Sequence, residues 1–257
     1  MQEGNGTVLG FSTLSLFFES SYRWAEVALK DRFNAIEILC EGPMWPRHAL
    51  ENADLDNITD ERISFFLHSP TVDLNPASIN RGIREETQKQ LKESVDMASM
   101  LGARYVTTHP GIVHRPVPGI IEMCREWAIE VLGEASDYAR SHGVNLSIEN
   151  MPNKQTYLCR NPDELELFRK SCNCGVTIDT GHANTWTEPP EFFRMDQISY
   201  LHVNDNNGMR DQHLCPGDGC LDLSLLTFGH SMIIELDNYD NVLRARDVIL
   251  QTISSDR

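Results

Sequence analysis

The sequence predicts one α/β domain, a single (β/α)8 TIM barrel spanning residues 1–257. Three observations predict it. The chain has 257 residues, the usual length of one such domain and enough for one large core. Short apolar runs alternate with helical stretches, which implies a parallel sheet. Those runs close in turn on histidine, aspartate or glutamate, as strands do when their carboxyl ends share a mouth.

The candidate strands are Thr7–Leu14, Ala35–Glu41, Ile63–His68, Tyr105–His109, Asn145–Glu149, Val176–Asp179, Ile198–His202 and Met232–Glu235. Most are continuous apolar runs, as expected for parallel strands covered on both faces. Arg81–Leu101 reads as a helix with Leu91, Val95 and Ala98 inward and Gly102 at its stop. Pro118–Arg140 is the clearest helix. Ile120, Cys124, Trp127, Ala128, Val131, Ala135, Tyr138 and Ala139 share one face, and His142-Gly143 ends it. Asn161 caps a helix with Pro162 at its first position. Glu188–Met195 and Leu221–Phe228 read as short, poor helices, and Asn241–Ser254 closes the chain. The absence of a glycine-rich phosphate loop favours a closed barrel over an open doubly wound sheet. No linker or short-period repeat divides the chain, so one domain is expected.

Composition narrows the function classes. The formal charge of −16 and the lack of any basic run lower the expectation of a nucleic-acid partner without eliminating it. No stretch of about 18 uncharged apolar residues argues for a transmembrane helix. The polar start, Met1 to Thr7, lacks a signal-peptide core, so a cytoplasmic address is expected. The seven cysteines are scattered, and reduced thiols are the expectation. A mixed Cys/His zinc site near Cys215 is the lesser alternative.

The strand-end residues carry the chemistry. Glu149, Asp179, His202 and Glu235 close the fifth to eighth strands, which are neighbours around a barrel. Three carboxylates and one imidazole suit Mn²⁺, Mg²⁺, Co²⁺ or Zn²⁺. Without a cation the carboxylates would raise one another's pKa values. His68 and His109 flank this core and could clasp a second ion beside Glu149; His182, Asp211 and His213 could hold a third, with a lean toward zinc. One to three ions are therefore expected. A single strand-end histidine is more often a satisfied polar residue, and a single carboxylate is often a helix cap; the joint pattern argues otherwise. Glu41 closes its run with no evident ligand chemistry, and His48, His114, His142 and His230 read as ordinary surface or helix-end residues.

In order along the chain stand His68-Ser69-Pro70, His109-Pro110-Gly111, Ile148-Glu149-Asn150, Asp179-Thr180-Gly181-His182, His202-Val203-Asn204-Asp205 and Asp211-Gln212-His213. This set resembles the xylose-isomerase-like TIM-barrel superfamily, which includes sugar-phosphate isomerases and epimerases and also the endonuclease IV enzymes. The resemblance runs from about Ile63 to Glu235. It implies that Glu149, Asp179, His202 and Glu235 match the single-metal site of the ketose epimerases, with Glu149 and Glu235 as the catalytic acid/base pair. It also implies that His182 contacts substrate oxygens. With His68, His109, His182, Asp211 and His213 added, the positions match the three-zinc site of endonuclease IV. Departures point away from the nuclease: the loop after His68 is Pro70-Thr71-Val72-Asp73, without the aromatic and leucine that enter DNA, and the His202–Asp211 loop is shorter.

The expected activity is a metal-dependent isomerase or epimerase of a sugar or sugar phosphate. Glutamate-mediated proton transfer would pass through a metal-stabilised enediolate. Arg210 and Trp186 are candidate substrate contacts, with Trp45 as a further wall and Met44–Ile58 as a specificity loop. The rivals are a zinc phosphodiesterase cutting DNA at abasic sites and a barrel that binds metal or sugar without catalysis. Many barrels of this type pair, so a homodimer is compatible with the sequence.

Overall fold

A computed structural model of the chain describes residues 8–52, 55 and 58–255. Thr7, the polar start before it and part of the Met44–Ile58 loop lie outside the described residues. Eight parallel strands pair in chain order and close, with Leu9 of the first against Met232 of the last. They are β1 (Leu9–Ser12), β2 (Ala35–Leu39), β3 (Ser64–His68), β4 (Tyr105–Thr108), β5 (Asn145–Glu149), β6 (Gly175–Asp179), β7 (Ile198–Val203) and β8 (Met232–Ile234). The helices are α1 (Trp24–Lys30), α2 (Pro46–Asn52), α3 (Arg81–Leu101), α4 (Ile120–Ser141), α5 (Pro162–Cys172), α6 (Thr180–Asn184) and α7 (Tyr239–Ser255). The predicted (β/α)8 barrel is the observed fold.

Local chemistry sets the boundaries. Asn80 caps α3 by accepting from Gly82 N at 2.9 Å, and Gly102 stops it in the left-handed conformation at φ 66°. Asn161 caps α5 by accepting from Glu164 N at 2.9 Å, with Pro162 at its start. The two weak helical readings are 3₁₀ segments, Pro189–Arg194 and Leu223–Phe228. Their tight turns eclipse side chains three apart, so no α-helical face develops in the sequence.

The core lies mainly between strands and helices, where Leu91, Ala98, Ala128, Leu132, Ala135 and Phe168 meet Ile36, Leu67, Val106, Leu146 and Val176. All seven cysteines are free, and all but Cys220 are buried. Among the described residues Cys215 belongs to no ligand cluster. Among them, too, no helix is long and apolar enough to cross a membrane.

Candidate metal centre

Three clusters of ligand-type side chains sit at the carboxyl end of the barrel: His68, His109 and Glu149; Glu149, Asp179, His202 and Glu235; and His182, Asp211 and His213. Within each, one donor atom per residue lies within 4.8 Å of all the others. The positions that the sequence nominates as ligands therefore converge, and Glu149 belongs to two clusters. Strand-end geometry explains this, since closure of a parallel barrel brings every carboxyl terminus to one rim.

Glu149 is the hub. Its Oε2 lies 3.3 Å from Nε2 of both His68 and His109, and its Oε1 lies 3.2 Å from His202 Nδ1. His182 Nδ1 stands 3.5 Å from the same Oε1. Burial alone would raise this carboxyl; the charge of His202, with His109 and His68 close by, outweighs it and holds Glu149 well below the carboxylate range. Glu235 differs. Its Oε2 is 3.3 Å from His202 Nδ1, and its side chain is 13% exposed toward the cleft against 1% for Glu149. Burial raises its pKa; His202 opposes, and the charges of Glu149 and Asp179 push the same way as burial.

The histidines are aimed by what they touch. His68 Nδ1 donates to Ser69 O at 2.9 Å, His182 Nδ1 to Asn150 O at 2.8 Å and His213 Nδ1 to Glu235 O at 3.0 Å. A carbonyl can only accept, so each ring is left with Nε2 facing the carboxylates. His202 is turned the other way round: Nε2 meets Glu37 Oε1 at 2.9 Å and Nδ1 faces Glu149 and Glu235. Rings held through one nitrogen, with the other pointed at a carboxylate cluster, are the arrangement cation ligation requires. Burial opposes protonation of these rings, yet the carboxylates raise His68 to about 9, and His182 and His213 to about 10. Asp211 Oδ1 is buried without a hydrogen bond, 3.4 Å from His213 Nε2. Such an orphaned anionic oxygen suits a cation. The residues present fit a bound divalent metal.

Asp179 stands in a ligand-type cluster and is also a helix cap. Its Oδ1 accepts from His182 N at 2.6 Å, capping α6, while Asn204 Nδ2 donates to Oδ2 at 2.6 Å. Gly181 must be glycine, because a Cβ there would stand 1.9 Å from Asn204 Oδ1. Among the described residues Asp205 joins no ligand cluster; it accepts from the Gly217, Gly219 and Leu221 amides at 2.9–3.0 Å and shapes the turn at Gly217–Leu221. Glu41 is likewise structural, since its Oε1 accepts from Thr71 N at 2.6 Å and Val72 N at 2.9 Å, pinning the loop beside the cleft.

That cleft has a volume of about 270 Å³. Glu149, Glu235, His109, His182, Asp211 and His213 line one side, and Thr71, Val72, Ile112, Met151, Pro152 and Tyr157 the other. Among the described residues its lining holds neither lysine nor arginine. Of the expected substrate contacts, His182 lines this cleft, while Arg210 and Trp186 are not among its lining residues. Arg210 is exposed in the β7–β8 loop, and Trp186 packs on the core with Nε1 donating to Glu191 at 3.1 Å. Trp45 Nε1 donates to Gln90 on α3 at 2.8 Å. A larger hollow, about 660 Å³, opens beside Phe66, Tyr105 and Ser199, and none of the three clusters lines it.

A family model for the xylose isomerase-like TIM barrel matches residues 26–228. The chain belongs to this family. A relative is the uncharacterized protein MJ1311 of Methanocaldococcus jannaschii, 30% identical over 246 residues, which cover 89% of this chain and 83% of that protein. A probable endonuclease 4 of Thermoplasma acidophilum is 24% identical over 263 residues, covering 95% and 81%. Among solved structures, a D-tagatose 3-epimerase-like protein superposes with a TM-score of 0.82 at 27% identity, covering 96% of this chain and 98% of that one. The similar proteins are thus named both for an epimerase and for an endonuclease.

Proposed function

We propose that the protein is a divalent-metal-dependent isomerase or epimerase of a sugar or sugar phosphate. One observation carries this reading: two glutamates face a common point from opposite electrostatic settings, Glu149 held anionic among imidazoles and Glu235 raised beside the cleft. A divalent ion such as Mn²⁺ or Zn²⁺, held by Glu149, Asp179, His202 and Glu235, would supply Lewis-acid polarisation of a carbonyl. Glu235, whose side chain opens on the cleft, takes the proton from the carbon next to that carbonyl. Glu149, on the same cleft, is the second member of the pair. His182 and the hydroxyls of Thr71 and Tyr157 orient substrate oxygens, while Val72, Ile112, Met151 and Pro152 exclude water. The resemblance to a D-tagatose 3-epimerase-like structure supports the same reaction class. The experiment is turnover of a ketose and sugar-phosphate panel in D2O by metal-loaded protein. Solvent deuterium should appear at the reacting carbon; a panel left unturned with no deuterium incorporated overturns the proposal.

The three clusters favour a second reading, hydrolysis of a phosphodiester with zinc at each. The net charge of −16 and a cleft without lysine or arginine stand against a DNA substrate. Metal content separates the two. About one ion per chain accompanies proton transfer, whereas about three with cleavage of an abasic duplex establishes hydrolysis.

A further inference from the structure

Below the site, beside Phe66 and Ile233, the barrel interior carries a buried polar network where branched aliphatic residues ordinarily dominate. Glu37 lies in mid-β2 and is fully buried. Its Oε1 accepts from Tyr200 Oη and stands 2.9 Å from His202 Nε2, while Oε2 has no hydrogen-bond partner. Behind Tyr200, Thr107 Oγ1 lies 2.6 Å from both Tyr200 Oη and Thr177 Oγ1, and Thr177 Oγ1 lies 2.8 Å from Ser147 Oγ. All these side chains are fully buried.

A carboxylate in such a place is costly unless paired and hydrogen-bonded. The basic group Glu37 meets is His202. We propose that Glu37 is a positioning residue for the metal centre: by accepting from His202 Nε2–H it fixes the ring with bare Nδ1 facing Glu149 and Glu235. Backbone carbonyls do this for His68, His182 and His213. Only a side chain can be exchanged without disturbing the chain path, and only a carboxylate places a full negative charge behind the ring, which strengthens the ligand. Tyr200 and Thr107 hold the carboxylate in turn. The sequence shows the signal as a lone acid inside Ala35–Leu39, an otherwise apolar strand.

This inference rests on the metal-centre reading, and the test separates the two. Zn²⁺ is titrated into wild type, Glu37→Gln and Tyr200→Phe against a chromophoric chelator, and the imidazole N–H protons of the zinc-loaded forms are observed by NMR. Glu37→Gln should bind the ion of the His202 cluster about 10–100-fold more weakly. Its His202 Nε2–H resonance should leave the far-downfield position of a carboxylate-bonded proton. Tyr200→Phe, which keeps the ring and removes the hydroxyl, should move both readouts the same way by less. Ser136→Ala, a buried hydroxyl on α4, should move neither. Glu37→Gln or, if it does not fold, Tyr200→Phe with wild-type affinity and resonance overturns the inference alone. A wild type that takes up no zinc overturns the metal reading and the inference with it.

Discussion

The two glutamates of the centre occupy opposite environments. Glu149, at the end of β5, is closed in by four imidazoles from β3, β4, α6 and β7. Glu235, just past β8, faces the cleft and feels carboxylate repulsion. On the proposed reading both move protons, but Glu149 is also the anchor that two clusters share, whereas Glu235 is the member more open to the cleft. Identical side chains thus differ because one is ringed by imidazoles, while burial and neighbouring carboxylates outweigh His202 and His213 at the other.

The strongest way to break this comparison is Glu149→Gln. It removes a donor shared by two clusters, so zinc affinity should fall by more than the roughly 10–100-fold that loss of an outer partner costs. Metal analysis showing wild-type content would end the anchor assignment. Glu235→Gln should act on turnover instead, lowering kcat about 10²–10⁴-fold while sugar still binds. Steady-state kinetics with calorimetric sugar binding read this out, and unchanged kcat contradicts the proton-carrier role. His109→Ala should be narrower, lowering the ion count at the His68 cluster while leaving the His202 cluster loaded. Mass spectrometry of the native protein counts the ions; unchanged content removes that cluster from the reading.

The smallest effect comes from outside the site and calibrates the others. The Glu166 carboxyl on α5 is lowered to about 2, chiefly by its hydrogen bond to Arg169, with Lys170 adding to this. Its folded pKa is depressed, so its contribution is full above about 4.5 and fades as pH falls through about 2. Glu166→Gln should cost about 0.2–1 kcal/mol at pH 7 and almost nothing at pH 2. Urea melts at both pH values measure it, and an equal cost at the two would refute the ion-pair origin.

The barrel and the convergence of the nominated residues were legible because parallel closure converts strand order into spatial adjacency: His68, His109, Glu149, Asp179, His202 and Glu235 needed only to end or directly follow strands. Hydrogen-bonding partners were not legible. Asn150, Asn204 and Glu37 carry no period, and their roles appear only when neighbouring strands are in register. Arg210 and Trp186 were named for their chemistry; neither lines the cleft, since loop paths follow local hydrogen bonds such as Asn207 Oδ1 with the Arg210 amide at 3.2 Å. The opposing wall, with Met151, Pro152 and Tyr157, comes from the β5–α5 loop, whose sequence has no strand-like or helical repeat.

The cap that Asp179 places on α6 has a further consequence. A helix of five residues is too short to persist unaided. An oxygen committed to the His182 amide cannot swing away without unravelling that turn. One carboxylate thus welds the position of its own cluster to the aim of the next.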